Sequence, residues 1–165
     1  PSAALIKGIL MHTATDLFPG QFGTGPKQEL PTARPNNHEG FGRVDVAKAT
    51  SVESSQLKDE QVGVGTGEAK TFDVKVNGGK KLVVTLTYTD APGSAAAAKA
   101  LVNDLDLSIV GPNGKVYEIG DRTNNNELIE IANPALGQYK VSVKGVKVPS
   151  GKNGKQPFAV VMGLL

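Results

Sequence analysis

Residues Asp104-Leu105-Asp106-Leu107-Ser108-Ile109-Val110 alternate polar and apolar side chains and then stop at Gly111-Pro112-Asn113-Gly114. A period of two predicts a strand with one buried face, so Leu105, Leu107 and Ile109 point one way and Asp104, Asp106 and Ser108 the other. Asp is a poor strand former. Two carboxylates side by side at the start of a strand, next to Asn103, therefore point to a site, and the chemistry that suits them is a hard cation held by several oxygens.

The same texture fills the chain from residue 54 onward. Residues 70–76, 82–89, 104–110, 115–119, 128–132, 138–143 and 158–164 are seven candidate strands, separated by turns rich in Asn, Gly and Pro such as Asn77-Gly78-Gly79 and Asn113-Gly114. Asn-Gly between apolar strands is a strong hairpin signal. A single flat sheet would leave an apolar face in water, so short strands at this spacing predict a two-sheet sandwich or a barrel. The Ala-rich run 94–100 is read as a connection that crosses between the sheets.

The first 53 residues differ. Ala3, Ala4, Ile6, Leu10 and Met11 recur at helical spacing, with Pro1 and Ser2 as the helix start. A loop over 16–40 follows, carrying Pro19, Pro26, Pro31 and Pro35, and Gly40-Phe41-Gly42-Arg43 then leads into a short helix. A loop of this length rarely stands alone in a compact domain, which predicts that it lies across a surface belonging to a larger protein. The expected organisation is thus 1–53 as the tail of a preceding domain and 54–165 as the sandwich.

Composition removes several classes of function. With no Cys there are neither disulfides nor thiolate metal sites. A net charge of +2, without any block of like charge, gives no footprint for nucleic acid. No apolar run is long enough to span a bilayer as a helix. Only five Phe and three Tyr are present, and several are needed for the core, so an aromatic sugar-binding platform is not evident.

Several segments, in order, resemble the C-terminal part of subtilisin-like serine proteases (subtilases) that carry a jelly-roll β-sandwich after the catalytic domain. Pro1-Ser2-Ala3-Ala4-Leu5-Ile6-Lys7-Gly8-Ile9-Leu10 is similar to the family's late helix, and Asn37-His38-Glu39-Gly40-Phe41-Gly42-Arg43-Val44-Asp45 to the segment that closes its catalytic domain. Tyr88-Thr89-Asp90-Ala91-Pro92 resembles the family's W-S-D-A-P, residues 101–107 its L-V-N-D-L-D-L, and residues 121–127 its D-G-R-N-N-V-E. Asn133-Pro134 through Gly137-Gln138-Tyr139 is similar to N-A-P-x-x-G-x-Y. Two departures stand out: residues 21–35 look inserted, and the loop from Tyr117 to Asn124 is shorter than the family's.

The resemblance implies a mainly β, jelly-roll-like antiparallel sandwich preceded by a helical and loop segment. It implies structural calcium, with Asp106 and Asp121 as first ligands, then Asp104, Asp90 and Asn103. The bland alternative is that these carboxylates are solvated or bond to turn amides. No G-T-S-M-A nucleophile motif is present, and neither His12 nor His38 lies in a family histidine motif, so no catalytic residue is expected. Asn124 to Asn126 are read as a turn tolerating left-handed backbone, Asn125 and Glu127 as weaker ligands, and Gly40, Gly42 and Arg43 as folding residues. The expected role is a non-catalytic C-terminal region of a secreted serine endopeptidase, partnered by the catalytic domain of the same chain. The competing role is an accessory module holding protein substrate or carbohydrate.

Overall fold

The structure is a computed structural model that describes residues 1–79 and 81–165. Helix α1 (Ala3–Thr13) opens the chain, α2 (Val46–Thr50) follows the long loop, and a 3₁₀ turn, Ser54–Gln56, leads into eight strands. They are β1 (Leu57–Val64), β2 (Ala69–Val76), β3 (Lys81–Thr87), β4 (Asp104–Val110), β5 (Val116–Ile119), β6 (Asn126–Ala132), β7 (Gly137–Lys147) and β8 (Gln156–Leu164). All seven expected strands are present. The sequence reading missed β1, whose Leu57-Lys58-Asp59-Glu60-Gln61-Val62-Gly63-Val64 is half polar and breaks register between Glu60 and Val64.

Two four-stranded antiparallel sheets pack face to face, in the orders β1-β8-β3-β6 and β2-β7-β4-β5. The pairing is nested: β1 with β8, β2 with β7, β3 with β6, β4 with β5. One long hairpin folded over on itself gives this nesting, and the result is the expected antiparallel β-sandwich. The run 88–103 carries the chain from β3 in one sheet to β4 in the other without a helix, as expected. Leu82, Val84 and Leu86 from β3, Leu105, Leu107 and Ile109 from β4, Val141 and Val143 from β7, and Phe158, Val160 and Met162 from β8 fill the space between the sheets. Alternation on β4 thus sorts its side chains as read, with the apolar set buried and Asp104, Asp106 and Ser108 half-exposed.

Strand β8 is buried on both faces because α1 covers its outer side. Ala4 and Leu5 of α1 pack with Ala159 and Val161 of β8, flanked by Ile9, Val52 and Leu57. Ser2 caps the helix, its Oγ accepting from the Leu5 amide at 3.0 Å and donating to Asp59 on β1 at 2.7 Å. Thr87 on β3 donates to the Ala4 carbonyl at 2.7 Å. The long loop is tied down by one residue. Arg34 donates to the Met11, His12, Ala14 and Phe41 carbonyls and pairs with Glu130 on β6. Much of this loop is therefore fastened to the C-terminal end of α1, where carbonyls lack helical partners.

Candidate functional site

The antiparallel register of β4 and β5 sets the geometry of the acidic pair. Leu107 faces Ile119 across the ladder, and carrying that register on by one and by three residues puts Gly120 opposite Asp106 and Arg122 opposite Asp104. Cross-strand partners share a sheet face. Arg122 accordingly reaches both carboxylates: Nη1 donates to Asp104 Oδ1 and Oδ2 at 3.1 Å each and to Asp106 Oδ1, while Nη2 donates to Asp106 Oδ2 at 3.1 Å. Pairing with Asp106 raises the already high pKa of Arg122 further. Gly120 makes the space, since a Cβ there would lie 3.2 Å from the Arg122 guanidinium and 3.3 Å from Asp106 Oδ1. On the other flank, Lys144 of β7 stands opposite Asp106.

The remaining expected ligands are committed elsewhere. Asp90 accepts from the amides of Ala91, Asn103 and Val102 at 2.8, 2.9 and 2.7 Å, fastening both ends of the inter-sheet crossing. Asp121 accepts from the Thr123 and Asn124 amides and the Asn124 side chain at 2.7, 3.0 and 2.6 Å. Burial alone would raise the Asp121 pKa; the bonds from Asn124 and Thr123 outweigh it and hold the carboxyl below its ordinary value. Asn103 is 0% exposed. Its Nδ2 donates to Gln156 at 2.7 Å, its Oδ1 accepts from the Ser150 amide at 3.1 Å, and its carbonyl accepts from the Tyr88 hydroxyl at 2.9 Å.

This arrangement does not fit a calcium ion on the expected residues. Calcium takes six to eight oxygens from a flexible cage. Here a guanidinium occupies the pair on β4, and Asp90, Asp121 and Asn103 are engaged by the chain's own donors. Among the described residues no three His, Cys, Asp or Glu side chains come together to hold a metal. The bland alternative, carboxylates bonding to turn amides, describes Asp90 and Asp121.

Glu127 is the carboxylate whose importance the sequence reading underrated. It is buried on β6, and its two oxygens accept from the Leu107 amide at 2.6 Å and the Asp121 amide at 2.8 Å, joining the sheets beside the β5–β6 turn. Burial pushes its pKa up to about 8 against those two amide bonds, with Asp106 and Asp121 adding repulsion. It borders a cleft of about 360 Å³ with Asp121, Asn124, Asn126, Asn36, Asn37 and Phe41. Left-handed backbone is found at Asn133 and Asn153, not at Asn124–Asn126, so that expectation is corrected: the Asp121 carboxylate closes that turn. Asn125 instead accepts from Lys7 of α1 at 2.8 Å and donates to the Tyr88 carbonyl. Gly42 bears out its folding role, a φ of +97° against the Thr15 carbonyl, but the anchoring arginine is Arg34 rather than Arg43.

No hydrolytic triad assembles among the described residues. Ser2 bonds to Asp59, His12 faces Thr85 at 3.3 Å, and Asp16 accepts from the Phe18 amide. Burial, reinforced by the neighbouring Arg34 charge, lowers the His12 pKa to about 4, so the ring is neutral. Tyr88 and Tyr139 are core residues, and Phe72 and Tyr117 pack against the core. The outer face of β2-β7-β4-β5 is mostly polar, with Val110 and Val116 exposed on it, and carries no aromatic side chain among the described residues.

No protein-family model matches the chain. It is 24% identical over 173 residues to a part of the "Serine protease/ABC transporter B family protein tagA" of Dictyostelium discoideum, an alignment spanning 90% of this chain and 9% of that protein. Among solved structures, a protein from Sulfurospirillum deleyianum aligns with a TM-score of 0.37 at 10% identity over 65% of this chain and 96% of that one. The Penaeus vannamei nodavirus P-domain aligns with a TM-score of 0.34 at 15% identity over 69% and 100%.

Proposed function

We propose that this chain is a non-catalytic accessory region of a larger secreted serine endopeptidase of the subtilisin-like type, and that its sandwich stabilises the catalytic domain joined to it. The observation that carries this reading is α1. One side is sealed onto β8 and β3, while Ile6, 50% exposed, and Leu10 point outward, with Val44 and Val46 also exposed near α2. A helix apolar on both sides suits a place between two packed bodies. The serine-protease name of the Dictyostelium relative, and the small share of that protein covered, support a part of a protease rather than a whole one. Calcium forms no part of the reading, because the donors do not fit it. The test is to remove residues 54–165 from the parent protease and follow its inactivation half-life on heating. Faster inactivation with unchanged specific activity at low temperature supports the stabiliser role. An unchanged half-life overturns it.

A further inference from the structure

The acidic pair on β4 has what a cation site needs on one side only: two carboxylates on one strand face, spaced by the two-residue repeat. Left unneutralised, they would repel each other and the buried Glu127 carboxyl behind them. The chain meets that charge from within. Arg122 follows β5 by a two-residue step, Gly120 and Asp121, and its planar fork of donors spans both carboxylates in the bidentate geometry suited to guanidinium. Lys144 stands opposite Asp106 on β7, so a second cation borders the same spot. The lack of a side chain at Gly120 opens the route.

We propose that Arg122 takes the place of a hard cation on the Asp104–Asp106 pair, so that the sandwich is neutralised by its own side chain and holds its stability without calcium. The guanidinium is an internal counter-ion, and an ion can approach only when Arg122 is removed.

The experiment uses the full 165-residue chain. Melting temperature is measured with chelator and with about 1 mM calcium, the affinity range of extracellular calcium modules, against sodium chloride of matched ionic strength. The native chain is expected to melt at the same temperature in all three. Arg122→Gln is expected to melt lower in chelator and to recover by several degrees with calcium but not with matched sodium chloride. Adding Asp106→Asn to that variant abolishes the recovery. Arg122→Lys, which keeps the charge but not the fork, remains indifferent to calcium. A calcium-dependent rise of more than about 2 °C in the native chain, roughly the shift from one kcal/mol in a domain of this size, overturns the proposal. So does a folded Arg122→Gln that calcium does not raise. Should Arg122→Gln fold only with calcium present, that too is the expected direction, and the native chain's indifference still decides the claim.

Discussion

The guanidinium of Arg34 lies 2.7 Å from the carboxylate of Glu130, joining a loop 96 residues upstream to the edge strand β6. With a side chain 3% exposed, Arg34 has surrendered its water for Glu130 and a ring of carbonyls at the end of α1. Breaking a buried pair from one side costs about 3–5 kcal/mol, because the partner stays behind uncompensated. Arg34→Ala is therefore expected to lower the melting temperature by roughly 6–20 °C. Glu130→Gln costs less, since the amide still accepts from Arg34 and the lost charge is shared with Lys81 at 2.9 Å. Thermal unfolding by circular dichroism checks both, and equal losses would show that the ion pair, not the carbonyl ring, carries the effect.

The buried amide of Asn103 makes a second strong prediction. Asn103→Ala strands the buried Gln156 side-chain oxygen, whereas the amide of the exposed Ser150 turns to water. An unsatisfied buried polar group costs about 1–3 kcal/mol, and one such group sets an expected loss of about 2 kcal/mol. Chemical denaturation of the variant measures it. A loss below about 1 kcal/mol would mean that Gln156 finds other partners on rotating.

Two buried groups give the stability a pH profile with opposing slopes. His12 has a folded pKa of about 4, lowered from 6.5, so between those values the unfolded chain binds more protons and stability falls as pH drops. Glu127 has a folded pKa of about 8, raised from 4.5, so between those values the folded chain binds more protons and stability falls as pH rises. In the shared window from 4.5 to 6.5 the slopes oppose. The native chain should be nearly flat there and lose stability from about 6.5 to 8. His12→Gln should unmask a decline beginning near 4.5, and Glu127→Gln should unmask the acid loss while flattening the alkaline one. Denaturant midpoints across that range test the signs, and parallel profiles for the two variants would refute the assignment.

Local pattern made most of the fold legible. Strand β4 was readable to its ends because its alternation and its Asn113-Gly114 turn agree, and β3 and β8 because mostly apolar, β-branched-rich runs have few alternatives. The acidic pair was legible as a charged site; its counter-ion was not, although the hairpin register carried forward from Leu107 and Ile119 leads to Arg122. Arg34 left no trace, since a contact spanning 96 residues follows no period. Glu127 is legible only as a weak ligand, because it belongs to an Asn-rich turn by sequence and to the space between the sheets by structure.

Strand β1 escaped notice because half its side chains are charged or amide-bearing and its ladder slips at Gly63, and that slip makes a prediction of its own. Gly63 has φ +79°, and a Cβ there would run into the Gln156 carbonyl and the Pro157 nitrogen across the bulge. Gly67 has nearly the same φ, +80°, with nothing near its missing side chain. Left-handed backbone at a non-glycine costs about 1–3 kcal/mol by itself, so Gly67→Ala should lose about 1 kcal/mol and no more. Gly63→Ala adds a main-chain collision that no side-chain movement relieves, and should lose about 3 kcal/mol or more while freeing β1 from β8. Amide exchange across 57–64 would register that release as faster exchange at unchanged rates in β3. Equal losses for the two variants would mean that conformation alone, and not the close approach of β1 to β8, makes Gly63 necessary.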